Sequence, residues 1–284
     1  MASVKITCDS TCDLSREFYA ENHIEVIPMV VSLGENTFFD GVDVHPEDIF
    51  AYAEATGTLP KTASPSIGTY SEVFRRLTED GCDVVHIGLS SSLSSGYSNA
   101  RIAAGEMENV WTVDSLNLSS ASGLLVIAAA EMAEAGKSGA EIFEALEELK
   151  TRLDSSFVLQ TLEYLKMGGR CSPLKALGAN MLKLRPEIVV STRTGTMSVG
   201  TKYRGNIERS VTDYIRGRLE NREDIDLRRI ILCHSGVPEE ILEECRKLIL
   251  QLQPFEELID ATAGCTISSH CGPACLGVLF IKKP

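Results

Sequence analysis

Short apolar runs, each followed by a polar loop and then a helix-like stretch, recur through the first half of the chain, and that order leaves few architectures open. Val4 to Cys8 gives way to Asp9-Ser10-Thr11 and then to a helical pattern from Ser15. Val84 to Leu89 runs into Ser90-Ser91-Ser92-Leu93-Ser94-Ser95, after which Gly96 to Gly105 winds as a helix. Val110 to Val113 ends at Asp114-Ser115, ahead of two helices between Leu118 and Leu153. Strands alternating with helices form a parallel sheet, since a parallel pair needs a crossover long enough to hold a helix. Ile24 to Leu33 reads as a further strand closed by Gly34-Glu35-Asn36, and Pro46 suits the first turn of a helix over Glu47 to Ala55.

The second half has a different rhythm. Glu187 to Val190 and Met197 to Tyr203 flank Thr194-Gly195-Thr196 as a hairpin would. Arg229 to Cys233 and Leu276 to Ile281 read as buried strands, with an amphipathic helix from Pro238 to Leu252. The expectation is an α/β protein of two lobes: residues 1–153 with a parallel sheet flanked by helices, and residues 154–284 with a mixed sheet. Ligands then collect at the carboxyl ends of the parallel strands, where the Asp9, Ser90 to Ser95 and Asp114 loops lie.

A formal charge of −13 sets the average surface against nucleic acid and anionic lipid. No stretch approaches the roughly 18 apolar residues of a membrane span, and Gly123 to Ala130 reads as the buried face of a helix. The opening residues pass into a strand with no apolar leader, which points to the cytoplasm. Nine cysteines, an odd number scattered among apolar runs, read as reduced thiols. Cys265, His270, Cys271 and Cys275 crowd together, but their spacing matches no common zinc pattern, so small buried thiols are expected and no metal.

Three polar segments interrupt apolar surroundings: Thr62 to Ser66, Ser90 to Ser95, and Ser268 to Pro273. Ser66 and Ser95 are placed to cap helices. A serine loop between strand and helix also offers hydroxyls beside unpaired N–H groups, a setting for an anion. Gly136-Lys137-Ser138 resembles the end of a phosphate-binding loop, yet the required earlier glycine is Glu131 and the segment joins two helices. A nucleophile elbow would need a second glycine, where Gly88-Leu89-Ser90-Ser91-Ser92 has serine. A serine esterase using Ser94, with Asp114 orienting His270, stays open as an alternative.

Taken in order, five segments resemble the DegV family across nearly the whole chain. Ile6 to Leu14 is similar to that family's T-D-S-T-C-D-L, Thr62-Ala63-Ser64-Pro65-Ser66 to T-S-Q-P-S, and Ser90 to Tyr97 to S-S-x-L-S-G-T-Y. Leu165 to Arg170 is similar to L-x-x-G-G-R, and Ile267 to Ala274 to I-x-x-H-x-G-P-G. The resemblance implies a non-catalytic binding protein holding a long-chain fatty acid such as palmitate, stearate or oleate, with no other cofactor. It implies that the carboxylate meets Thr62, Ser94, Ser95 and His270, and that the protein presents it to a fatty acid kinase for phospholipid synthesis in bacteria. Arg170, and the basic spot of Lys202 and Arg204, are the expected kinase contacts. The chain departs from the pattern at Ala63, Ser64, Ser95, Gly96 and Ala274.

Overall fold

The computed structural model describes residues 3–105, 107–170 and 184–284. Strands β1 (Val4–Asp9) and β2 (Glu25–Ile27) are joined by α1 (Arg16–Glu21). β3 (Val30–Leu33), β4 (Asn36–Phe39), α2 (Pro46–Thr56) and β5 (Lys61–Ala63) follow. Next come α3 (Ile67–Thr78), β6 (Asp83–Gly88), α4 (Gly96–Ala104), β7 (Val110–Asp114), α5 (Ser120–Glu134) and α6 (Gly139–Leu149). The second half holds β8 (Leu153–Val158), α7 (Glu163–Met167), β9 (Leu184–Val190), β10 (Met197–Arg204) and α8 (Ile207–Leu219). It continues with β11 (Ile225–Ser235), α9 (Glu239–Leu252), β12 (Glu257–Thr262), α10 (Cys265–Cys271) and β13 (Cys275–Lys282).

The expected parallel sheet is present, in the order β2-β1-β6-β7. The second sheet is mixed, as expected, in the order β10-β9-β8-β13-β11-β12, and β11 with β12 is its parallel pair. The expected strand from Ile24 to Leu33 is instead two strands in two sheets. Pro28 has no N–H to give a ladder, and the N–H of Met29 donates to Ser10 Oγ at 3.1 Å, so the chain leaves the first sheet there. β3 then begins a small antiparallel sheet, β4-β3-β5, that the sequence did not announce.

One helix ties the large sheets together. Ser120 to Ile127 of α5 are all buried, because the helix lies in one apolar core with Ile6, Val85, Ile87 and Val113 of the first sheet and Ile231, Cys233 and Leu279 of the second. The run from Gly123 to Ala130 is therefore apolar on nearly every side, as a helix enclosed between two layers must be. Gly123 permits the closest approach: a Cβ there would stand 2.7 Å from the Cys12 carbonyl oxygen. A separate core beneath the second sheet joins Tyr214 and Ile215 of α8 to Leu242 and Ile249 of α9.

Candidate functional site

A cavity of about 910 Å³, counting its open mouth, lies on the α5 side of the six-stranded sheet. Its floor is two rows of side chains crossing the sheet. Phe157, Gly277 and Cys233 are register partners on β8, β13 and β11, and Ser155 and Leu279 form the next row with Val190 and Met197 beside them. Gly277 and Cys233 are small, so a trough runs where bulkier residues would have filled the sheet face. Met29, Leu89, Leu93, Leu118, Leu165 and Ile267 complete the mostly apolar walls.

Polar groups converge where three separate segments meet. Thr62 sits on β5, opposite Val31. Asp9, at the end of β1, accepts from the N–H of Leu89 at 2.9 Å and from the Tyr70 hydroxyl at 2.6 Å, fixing the start of the serine loop. Ser94 follows, its N–H donating to the Ser90 carbonyl and its Oγ accepting from the N–H of Gly96. His270 lies near the end of α10, and its Nε2 is 2.8 Å from Thr62 Oγ1, although 208 residues separate the two in sequence. Thr62, Ser94 and His270 all line the cavity. Gly168 allows the ring its place, for a Cβ there would fall 2.2 Å from His270 Nδ1.

The electrostatics follow from this enclosure. Burial, helped by the nearby charge of Arg170, pushes His270 down to about 4, so the imidazole is neutral at neutral pH. In the tautomer that carries its proton on Nε2, His270 donates to Thr62 Oγ1 and leaves the Thr62 hydroxyl proton free to be given to an anion. Arg170 lines the same cavity, donating from Nη1 to the Gly168 carbonyl at 2.7 Å.

Other expected residues fall elsewhere. Ser95 is exposed and outside the cavity lining; its hydroxyl faces Ser64 Oγ at 2.7 Å, because the first turn of α4 carries it outward while Ser94 turns in. Ser95 also makes no side-chain cap, whereas Ser66 caps α3 by accepting from the N–H of Thr69. Lys202 and Arg204 are exposed on the edge strand β10, away from the lining. Asp114 does not orient His270: its carboxylate accepts from the N–H groups of Ser91 and Leu116. A serine triad is thus not assembled among the described residues. The cysteines of the crowded segment diverge, Cys265 donating to the Val44 carbonyl while Cys271 and Cys275 line the cavity. Among the described residues no group of His, Cys, Asp and Glu is disposed to hold a metal ion.

The family model described as an uncharacterised protein of the DegV family matches residues 3–283. The chain belongs to the DegV family. A DegV domain-containing protein of Clostridium acetobutylicum is 29% identical over 287 residues, covering 100% of both chains. Among solved structures, a DegV family protein from Thermus thermophilus, described by its fatty acid binding, superposes with a TM-score of 0.88 at 28% identity, covering 99% of this chain and 100% of that one. A DegV lipid binding protein from Thermotoga maritima gives 0.85 at 26% identity with 99% of each chain covered. A stearic acid-binding protein from Eubacterium ventriosum also gives 0.85 at 26% identity, covering 100% of this chain and 99% of that one. In this DegV chain the trough itself went unread in the sequence; its one local signal was Gly277 inside an otherwise apolar strand.

Proposed function

We propose that the chain binds a long-chain fatty acid such as palmitate, stearate or oleate in this cavity and presents its carboxylate, without catalysis of its own, to a fatty acid kinase in the cytoplasm. The observation that carries this reading is the half-buried Thr62–His270 pair in the wall of an apolar trough. About 14 methylenes at roughly 0.8 kcal/mol each make tail burial worth on the order of 10 kcal/mol. That exceeds the few kcal/mol spent on enclosing a hydrogen-bonded carboxyl group. The tail supplies affinity and the head sets orientation. Hydroxyls and a neutral imidazole position a carboxylate while leaving its oxygens nucleophilic enough to attack a phosphoryl group, which a bidentate arginine would oppose.

Replacing Thr62 by Val removes the donor and keeps the shape. The expected result is acyl-phosphate formation with the kinase reduced at least tenfold, while tail binding, followed by native mass spectrometry, falls only a few-fold. Equal losses in both assays would contradict the assignment. Support for a presenting role also comes from Arg170, which stands at the cavity beside the head-group residues on an otherwise acidic protein.

A further inference from the structure

Three residues lining the cavity carry a polar atom with no hydrogen-bond partner among the described residues: His270 Nδ1 at the head-group site, and, apart from it, Asn117 Nδ2 and Thr266 Oγ1. Asn117 is fully buried and Thr266 is 3% exposed, and both line the cavity. The amide orientation of Asn117 is fixed, since its Oδ1 accepts from the N–H of Leu118 at 3.1 Å and from Ser155 Oγ at 2.8 Å, which leaves the NH₂ as the free end. Thr266 differs from its neighbours on α10. The hydroxyls of Ser268 and Ser269 donate to the carbonyls of Ala263 and Cys265, whereas that of Thr266 does not turn back on the helix. Neither atom belongs to the head-group site; Thr266 stands one helical turn, about 6 Å along the axis, from His270.

A plain alkyl chain against a buried NH₂ and a hydroxyl leaves both unsatisfied, at a cost that a pure hydrocarbon site avoids by using apolar residues. We infer that Asn117 and Thr266 form a second polar subsite, and that the preferred ligand is a long-chain acid carrying a hydroxyl group on the buried part of its chain. A hydroxyl oxygen accepts from the Asn117 amide and exchanges either role with Thr266. This inference rests on the fatty-acid reading of the same cavity and names the chemical class within it.

The test is a competition titration on delipidated protein. The competitors are octadecanoic acid and its mono-hydroxylated isomers with the hydroxyl at successive carbons from C3 to the end of the chain. One isomer, or two adjacent ones, should bind about fivefold more tightly than the plain acid, the order of one net hydrogen bond. That ratio should fall to about one in Asn117→Leu and in Thr266→Val; should the first fail to fold, the second, which keeps the side-chain shape, decides. If the plain acid binds as well as or better than every hydroxylated isomer, or the ratio survives both variants, the subsite is wrong while lipid binding stands. If neither class binds, the fatty-acid reading fails and takes the subsite with it.

Discussion

Asp13, buried, and His270, half-buried, are titratable groups whose contributions to stability run in opposite directions with pH. Asp13 accepts from the N–H of Gly264 at 3.0 Å and from Ser119 Oγ at 2.6 Å, yet burial, with the charge of Asp40 adding to it, raises it from 3.8 to about 7. A carboxyl raised in the fold contributes stability that is complete below its ordinary value and lost as pH climbs through the folded one. Asp13→Asn should therefore gain on the wild type by on the order of a few kcal/mol as pH rises from about 4 to 7, seen as diverging urea midpoints; parallel profiles would contradict this. His270 has the reverse sign: its folded value of about 4 lies below 6.5, so the stability it contributes is complete above the higher figure and lost as pH falls through the lower. At this scale motif order singled out Thr62, Ser94 and His270, and all three line the cavity. Ser95 lies outside the lining because neighbouring residues entering a helix point in different directions, which spacing does not encode. The role of Asp13 was illegible because Gly264, the group it holds, lies 251 residues away.

Among the elements, α10 is the one whose form was least legible. Its stretch from Ser268 is one of the polar segments, but Asp40 accepts from the N–H groups of Cys265 and Thr266 at its start, and Ser268 and Ser269 turn their hydroxyls onto carbonyls. Tertiary capping thus decides a helix that local composition opposes. By contrast, β6, β7 and the β9–β10 hairpin were readable, since apolar runs bounded by turn residues sufficed. α8 is held to the second sheet by Arg218, which pairs with Asp154 on β8 and Glu187 on β9; its side chain is 13% exposed and theirs 16% and 6%. Arg222 also reaches Asp154 at 2.9 Å and so softens the loss. Arg218→Ala should destabilise the fold by about 3 kcal/mol, chiefly by leaving Glu187 buried without its cation. A change below about 1 kcal/mol in urea denaturation would show that the pair adds little. The cavity wall offers a complementary prediction: Ala263→Leu, beside Thr266, should shorten the longest acid accepted and cost octadecanoate at least tenfold in affinity, while unchanged chain-length preference would place the tail elsewhere.

At the scale of the whole molecule, α5 binds the two large sheets into one core and leaves the cavity beside it, so site and fold share the same apolar residues. No helix among the described residues is long and apolar enough to cross a membrane. On a chain of net charge −13, Arg170 at the cavity and Lys202 and Arg204 on the edge strand are separate basic points set against the average field. Arg170→Ala should keep acid binding within a few-fold and weaken kinase coupling about tenfold, more so at low salt; unchanged coupling would remove Arg170 from the contact. The α/β class was legible because periodicity reports layers, whereas the cavity was not, because it arises from small residues meeting across strands distant in sequence. The central claim is that an alkyl chain occupies this trough with its carboxylate against Thr62, Ser94 and His270. A crystal structure of the protein as isolated from a bacterial host tests it most directly: continuous elongated density ending between those three side chains is the predicted result, and a cavity filled by repacked side chains, or a ligand headed elsewhere, would contradict it.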